Sequence, residues 1–243
     1  MVTGRLAQYV YNRPVKYSTA DLRKVIGFRN GSDEELSEVL RASTVRPVEE
    51  GEYFFLQGDP AEHAYVLAQG QAKLLQANPM GQVVNLRTIY PWQLFGALGA
   101  VRPEAQYPAS AHALEDSSAL AIPSSLLREM LLTHPNLSMD LMQLMTSYIG
   151  EMQSRYRELA TERVEQRICR AVLRLAVQSA QKVEDGIELT LSREDLAEIS
   201  GTTLHSVSRV LAEWHRRGLV DAGRERVKIL EPHTLVRMAD GLP

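Results

Sequence analysis

The chain has 243 residues, a formal net charge of −3 and 44% hydrophobic residues, which suffices for two modest domains with cores of their own. One cysteine, Cys169, excludes a disulfide scaffold and a cysteine-based metal cluster within one chain. With neither a membrane-length apolar run nor a secretory signal pattern, we expect a cytoplasmic protein without a membrane partner.

The first 31 residues form an N-terminal extension with few structural signals. We expect a short strand at Tyr9–Tyr11 and a short helix at Ala20–Ile26, acting as a packing arm without a function of its own. The run Ser32-Asp33-Glu34-Glu35 is a capping box, in which a hydroxyl and a carboxylate satisfy the unpaired N–H groups of a helix start. It predicts a helix that ends near Ala42.

Between Val45 and Pro123, short apolar runs alternate with turns rich in glycine and proline. Short strands at such regular spacing indicate an all-β barrel or roll, which we assign to residues 32–134. The clearest strands are Tyr53–Leu56, Tyr65–Ala68, Ala72–Leu75 and Val83–Ile89, and the turn glycines are Gly51, Gly58, Gly70, Gly81 and Gly96.

A long helix is predicted from Pro135 onward, over residues 135–160. Spacings of three and four residues place six apolar side chains on one face, a heptad pattern typical of a dimerisation helix. This apolar stripe consists of Met142, Met145, Ile149, Met152, Tyr156 and Leu159. The alternative is that the helix packs on its own β domain. A hinge at Thr161 or Glu162 leads into a second helix, predicted over Val164–Gln181.

Residues 191–218 predict two helices joined by a tight turn. Ser192 caps the first helix, Gly201 ends it, and Thr202 or Thr203 caps the second. A short helix, a glycine turn and an amphipathic helix are typical of a helix-turn-helix, whose second helix lies in the major groove of DNA.

The second of these helices has one apolar and one polar face. At about 100° per residue, the apolar face, which points to the core, contains Val207, Val210, Leu211 and Trp214. The opposite face contains His205, Arg209, Ala212 and Arg216, flanked by Ser206 and Ser208. The alternative is an amphipathic surface helix with a solvated face. Three arginines against one glutamate within residues 201–218 favour DNA binding.

A small hairpin follows the second helix. Leu219-Val220 and Val227–Ile229 read as strands around a polar turn, so that the whole motif is a winged helix. Arg224, Arg226 and Lys228 lie where a wing contacts DNA phosphates, although a solvated hairpin would show the same charges.

With these elements in this order, residues 33–230 resemble the CRP/FNR family, the bacterial transcription regulators related to the cyclic-AMP receptor protein. The resemblance implies an α+β fold with an N-terminal cyclic-nucleotide-binding-like β-roll and a long dimerisation helix. A C-terminal winged helix-turn-helix would follow over residues 161–243. The resemblance also implies a homodimer that binds a palindromic DNA operator and contacts RNA polymerase.

The resemblance further assigns residues to the DNA interface. Base reading falls to Leu204, His205, Ser208 and Arg209. Relatives have an arginine at position 209, which donates two hydrogen bonds to guanine, but a glutamate where this chain has His205. The preferred base at that position therefore stays open. Phosphate contacts fall to Ser192, Arg193, Thr203, Ser206, Arg216, Arg224 and Arg226.

The phosphate-binding cassette of the family corresponds to Phe95–Gly99. Nucleotide-binding members have Gly-Glu-Leu there and an Arg-Ser pair shortly after, which hold the ribose hydroxyl and the cyclic phosphate. This chain has Gly96-Ala97-Leu98 and Tyr107-Pro108, so both charged groups are missing, and Arg102 has the wrong spacing to replace them. We therefore expect neither cyclic-AMP binding in the family manner nor a bound cofactor.

Other sensor chemistries are also constrained by the residues available. A four-cysteine iron–sulfur cluster is impossible with Cys169 alone, and we predict a packed thiol rather than a redox switch. A haem needs one or two axial ligands, and His63, His112 and His134 are candidates, each with a structural role as the alternative.

Catalytic motifs are missing from the sequence. It contains no Gly-x-Ser-x-Gly, no His-Glu-x-x-His and no phosphate-binding loop, so we expect neither an enzyme nor a metal site. Three readings remain open: a DNA-binding regulator that acts without an effector, a sensor whose non-nucleotide or haem ligand switches DNA binding, and an effector-free interaction protein.

Overall fold

The computed structural model describes residues 17–80, 83–179, 181–183, 186–223 and 225–241, without the side chains of 178, 179, 181 and 182. The strand expected at Tyr9–Tyr11, the turn at Gly81 and Arg224 lie outside the described residues. The chain divides into two compact units, Met1–Tyr148 and Ile149–Pro243.

The described helices are α1 (Thr19–Leu22), α2 (Asp33–Ala42), α3 (Leu98–Val101), α4 (Ser124–Thr133), α5 (Pro135–Thr161), α6 (Val164–Ser179), α7 (Arg193–Ser200), α8 (Leu204–Arg216) and α9 (Pro232–Ala239). The described strands are β1 (Thr44–Val48), β2 (Tyr53–Phe55), β3 (His63–Gln69), β4 (Ala72–Ala77), β5 (Val83–Ile89), β6 (Leu94–Phe95), β7 (Ser110–Ala113), β8 (Ser117–Pro123), β9 (Gln181–Val183), β10 (Gly186–Thr190), β11 (Val220–Ala222) and β12 (Arg226–Ile229). In this part of the chain, no helix is both long enough and apolar enough to cross a membrane.

The first unit contains the predicted β-roll. Its described strands form two antiparallel sheets, ordered β1-β8-β3-β6 and β2-β7-β4-β5, and the four strands predicted from sequence are β2 to β5. Alanines and five aromatic side chains fill the core that strands of both sheets line. The turn at Gly70 requires glycine, because its φ is +87° and a Cβ there would collide with Ser117.

A helical layer packs on the β1-β8-β3-β6 sheet. Leu22, Val25 and Phe28 are buried in it, so residues 17–31 pack onto the β-roll. The helix expected at Ala20–Ile26 is shorter, because the chain leaves α1 after Leu22 and forms a 3₁₀ turn at Ile26–Phe28. The capping box at Ser32 is confirmed, since its hydroxyl accepts from Glu35 N–H while the Glu35 carboxylate accepts from Ser32 N–H.

The long helix and the hinge agree with the sequence prediction. Helix α5 begins at Pro135 and ends at Thr161, and α6 begins at Val164. Helix α6 ends at Ser179 rather than Gln181, because Gln181 opens β9, which pairs with β10.

The second unit is a winged helix-turn-helix. Helices α6 to α9 surround one core with a sheet ordered β11-β12-β10-β9, and the hairpin of β11 and β12 is the predicted wing. Trp214 of α8 lies fully buried within this core. Cys169 of α6 is buried there as well, and burial raises the pKa of its thiol to about 12, as expected of a packed cysteine.

Candidate nucleic-acid interface

The turn between α7 and α8 is built by side-chain and glycine caps. The Ser192 hydroxyl accepts a hydrogen bond from Asp195 N–H at 3.0 Å and starts α7. Gly201 ends the helix with a φ of +60°, a left-handed conformation that glycine adopts without strain. The Thr203 hydroxyl then accepts from Ser206 N–H at 3.2 Å and starts α8. The predicted caps are therefore confirmed, with Thr203 rather than Thr202 in the second.

The inner face of α8 holds the helix against the core. All four apolar residues predicted for this face are buried: Val207, Val210, Leu211 and Trp214. The indole N–H of Trp214 donates to the Glu165 carboxylate of α6 at 3.0 Å. This bond satisfies the polar atom of a buried tryptophan and fixes α8 relative to α6.

The outer face of α8 presents the residues predicted to read bases, which we call the reading face: Leu204, His205, Ser208 and Arg209. Leu204 is 44% exposed, His205 and Arg209 are exposed, and Ser208 is half-buried beside them. Among the described residues Arg209 has no hydrogen bond or ion pair, so its five guanidinium donors are available to an external acceptor.

The predicted phosphate contacts Thr203 and Ser206 lie at the start of α8, and Ser192 and Arg193 lie at the start of α7. The Thr203 and Ser206 hydroxyls are 3.0 Å apart and hydrogen-bond to each other. Ser192 donates to the Asp195 carboxylate at 2.6 Å, so its hydroxyl proton is already engaged. Nε of Arg193 is buried without a hydrogen-bond partner in the described structure.

The remaining predicted phosphate contacts lie away from the turn. Arg216 is about 18 Å along α8 from Leu204 at 1.5 Å per residue, and both Nε and Nη2 bind the Glu213 carboxylate. Arg226 of the wing lies 3.1 Å from Asp221 and 3.5 Å from Glu188. Both arginines therefore have carboxylate partners within the protein.

Two residues of α6 that the sequence does not predict support the helix-turn-helix. One is Glu165, which binds Trp214, and the other is Arg167, whose guanidinium donates to the carbonyls of Ser200 and Gly201. No sequence signal identifies such contacts, because they join chain segments that are 33 or more residues apart.

The apolar stripe of α5 is exposed along its length. Its six side chains are between 40% and 76% exposed. Their neighbours Leu141 and Leu144, in contrast, are buried against the β-roll. The stripe thus lies on an exposed face of α5, beside the face that carries these two leucines.

Aromatic rings cover the cassette in the β-roll. A Cβ built on Gly96 would lie 3.1 to 3.3 Å from the rings of Phe55, Tyr65 and Tyr107. Tyr107, which the resemblance is expected to place at the family's arginine, stacks on Phe55 with ring centroids 3.7 Å apart, and its hydroxyl donates to the His63 carbonyl at 2.6 Å. Its burial raises the pKa of the phenol, so the side chain is neutral.

The cassette helix α3 is held from its other side by the protein itself. Gly99 packs directly on the Ala61 carbonyl, leaving no room for a Cβ. Arg128 of α4 donates to the carbonyls of Gly99 and Ala100 at 2.6 and 3.3 Å. The basic residue closest to the cassette in sequence, Arg102, is exposed.

The three histidines considered as haem ligands have structural partners and lie on separate elements. The His63 ring lies half-buried on β3 with its centroid 6.2 Å from that of Tyr65, and burial lowers its pKa; the His112 ring packs 4.8 Å from Tyr53. His134 follows α4 and contacts Thr133 and Glu35. The described residues contain no cluster of three or more His, Cys, Asp or Glu that could hold a metal ion.

Two family models match this chain. The cyclic nucleotide-binding domain matches residues 45–134, and the Crp-like helix-turn-helix domain matches residues 166–238. The chain belongs to the CRP/FNR family. It is thus a transcription regulator of the CRP/FNR type, with a DNA-binding helix-turn-helix and a cyclic-nucleotide-binding-like domain.

Similar proteins of the CRP/FNR family span nearly the whole chain. The transcriptional activator protein Anr of Pseudomonas aeruginosa is 29% identical over 214 residues, covering 86% of this chain and 84% of that protein. The cyclic AMP receptor protein of Thermus thermophilus is 28% identical over 215 residues, 88% of this chain and 97% of that protein. A crystal structure of another CRP-family regulator from Thermus thermophilus has a TM-score of 0.68 at 25% identity and covers 81% of this chain and 97% of that one.

Proposed function

We propose that this CRP/FNR regulator is a homodimer that reads a palindromic DNA operator and requires no cyclic nucleotide. The observation that carries the proposal is the exposed Arg209 of the reading face, which has no hydrogen bond or ion pair among the described residues. Specific base recognition in the major groove commonly uses an arginine that donates two hydrogen bonds to guanine. RNA polymerase is the further partner expected of a transcription regulator.

The exposed apolar stripe of α5 supports the homodimer. Six large apolar side chains at heptad spacing on one helix face are rarely left in water by a soluble protein. A second copy of the same helix, related by a two-fold axis, presents an identical stripe and would bury it. Two copies also supply two reading faces, which explains why the operator should be palindromic.

The closed cassette supports independence from cyclic nucleotides. A cyclic phosphate carries a negative charge and needs a cation or several N–H donors. In the described β-roll, position 107 offers a neutral buried phenol and position 97 an alanine, while three rings lie against Gly96. The residues present therefore do not fit the nucleotide that the family's domain name implies.

The proposal is tested by selecting binding sites from a random duplex DNA library with purified protein and no added ligand. We expect a two-fold symmetric motif whose half-sites are about 10 base pairs apart, the spacing that two recognition helices on one face of the duplex require. The same motif with scrambled half-sites is the control and should bind only as non-specific DNA.

Two outcomes would contradict the proposal. An asymmetric motif would exclude the two-fold dimer on DNA. Enrichment that occurs only after a small-molecule extract is added would support the alternative, a ligand-switched sensor.

A further inference from the structure

The hinge after α5 is joined to the helix-turn-helix by one arginine. Nη1 of Arg167 donates to the carbonyl of Glu162 in the hinge at 3.2 Å. Nε and Nη2 of the same guanidinium donate at 3.0 Å each to the carbonyls of Ser200 and Gly201, in the turn between α7 and α8. We call this set of three bonds the Arg167 bridge.

Two further contacts place the bridge among elements that meet at the same turn. A Cβ on Gly201 would lie 2.6 Å from Cδ2 of Leu159, so the last residues of α5 pack directly on the turn. On the other side, Glu165 holds the buried Trp214 of α8. The end of α5, the hinge, the first turns of α6 and the helix-turn-helix are thus connected within one compact unit.

The chemistry of the bridge favours a fixed geometry. A guanidinium is planar and rigid, and its donors diverge at set angles, so three carbonyls can be held at once. Carbonyls at the end of a helix lack intrahelical partners and carry partial negative charge, which strengthens a bond from a cation. A lysine offers a single ammonium on a flexible stem and cannot reproduce this arrangement.

We propose that Arg167 is a positioning residue, which sets the orientation of the reading face relative to the hinge and thereby the half-site spacing that the dimer accepts. The inference rests on the proposed dimeric function. The spacing of two reading faces depends on the angle at which each helix-turn-helix leaves its hinge, since the C-terminal half of the stripe and the bridge belong to the same unit. Without the Arg167 bridge, the helix-turn-helix would no longer be fixed to the hinge, and the dimer would bind operators with several half-site spacings.

The test compares Arg167→Gln with Arg170→Gln, a matched variant on the same helix. Arg170 also binds Glu162, through the carboxylate at 2.8 Å, and contacts Asp240, but it does not reach the turn. Affinities are measured on the selected palindrome, on versions with one base pair added or removed between half-sites, and on a version with one base changed within each half-site.

For the wild type and Arg170→Gln we expect a displaced half-site to weaken binding by about tenfold or more, comparable with a mismatched base pair. We call the factor by which affinity falls when a half-site is displaced the spacing ratio. For Arg167→Gln the spacing ratio should shrink to less than about threefold, while the factor by which a base change lowers affinity stays as in the wild type. A general loss of folded protein would weaken binding to every operator by the same factor and leave both ratios unchanged, so a fall in the spacing loss alone identifies positioning. Arg167→Lys should give a spacing ratio between those of the wild type and Arg167→Gln.

Arg167→Gln with wild-type spacing discrimination would overturn the inference. If that variant does not fold by circular dichroism, Arg167→Lys decides, and a wild-type spacing ratio in it overturns the inference equally. A wild type that accepts all spacings alike contradicts the dimeric operator itself, which separates failure of the proposed function from failure of the role of Arg167.

Discussion

Arginines with and without carboxylate partners should behave differently towards DNA. Arg209 has no partner among the described residues, so a base contact costs it no existing ion pair. Arg216 and Arg226 must exchange a carboxylate for a phosphate, which makes their net contribution smaller than that of an unpaired arginine. Arg209 is therefore the arginine from which we expect sequence discrimination, and Arg226 a contact that is the same on every sequence.

Substituting these two arginines separates base reading from phosphate contact. Arg209→Ala should cost about 1–3 kcal/mol per half-site and relax the preference at one base pair. Arg226→Ala should weaken binding to all sequences equally and make the salt dependence shallower by about one unit of slope for each phosphate that the wing no longer neutralises. Fluorescence anisotropy on the best operator and its single-base variants, across a salt series, measures both effects.

Each variant serves as the control for the other, because both remove one arginine from the same unit. If Arg209→Ala keeps full discrimination at every base pair, α8 does not dock through its reading face. If Arg226→Ala changes the preferred sequence, the wing reads bases and its assignment to phosphates is wrong.

At the scale of single residues, the sequence predicted the direction of side chains better than their partners. The helical period alone placed Arg209 outward and Trp214 inward. The partners depend on chain segments that are distant in sequence: Arg226 meets Glu188 of β10, and Trp214 meets Glu165 of α6. Such pairs become visible only when the fold brings the segments together.

At the scale of elements, a capping hydroxyl decided which short helices could be predicted. The N-caps of helices α2, α7 and α8 are Ser32, Ser192 and Thr203, and each of these side chains accepts a hydrogen bond from a backbone N–H of the first turn. Helices α3, α4 and α9 were missed, and none of them has a side-chain cap at its N-terminus. These helices form where packing against the rest of the fold stabilises them, which local sequence does not report.

The apolar stripe of α5 makes a prediction about assembly. The double substitution Ile149→Glu with Met152→Glu should convert the dimer to a monomer, because like charges would face each other in a desolvated seam at a cost on the order of several kcal/mol. Analytical ultracentrifugation measures the mass, and circular dichroism checks that the fold is intact.

The matched control places two glutamates on another face of the same helix. Gln143 and Ser154 are exposed and lie about 120° and 140° from Ile149 around the helix axis. Gln143→Glu with Ser154→Glu should remain dimeric. A double mutant in the stripe that sediments as a dimer would show that the subunits associate through another surface.

At the scale of the whole molecule, this β-roll resembles a nucleotide-binding domain, but side chains of its own core pack against the cassette. The stacked rings of Phe55 and Tyr107, the Gly99–Ala61 contact and the Arg128 bonds hold the cassette from within the protein. The fold class and the order of the domains followed from the sequence. The ring packing did not, because a tyrosine at position 107 could equally have pointed into solvent.

This closed cassette predicts that cyclic nucleotides leave the protein unaffected. Cyclic AMP and cyclic GMP at millimolar concentration should release no binding heat in calorimetry and should not change operator affinity, because a neutral, buried tyrosine stands where nucleotide-binding members have the arginine. The cyclic AMP receptor protein of Thermus thermophilus is the positive control. Binding in the micromolar range, or a gain in operator affinity of about tenfold, would disprove the prediction.

The exposed stripe also has a consequence for how such a regulator responds inside a cell. When most of the protein is monomeric, the amount of dimer grows with the square of the total concentration, and operator occupancy grows with it. A regulator without a ligand to report a signal would then be controlled by how fast it is made and degraded. A twofold change in protein level would produce a roughly fourfold change in operator occupancy while occupancy is low. Dimerisation through the six apolar side chains of α5 would therefore make transcription respond more steeply than in proportion to the protein concentration.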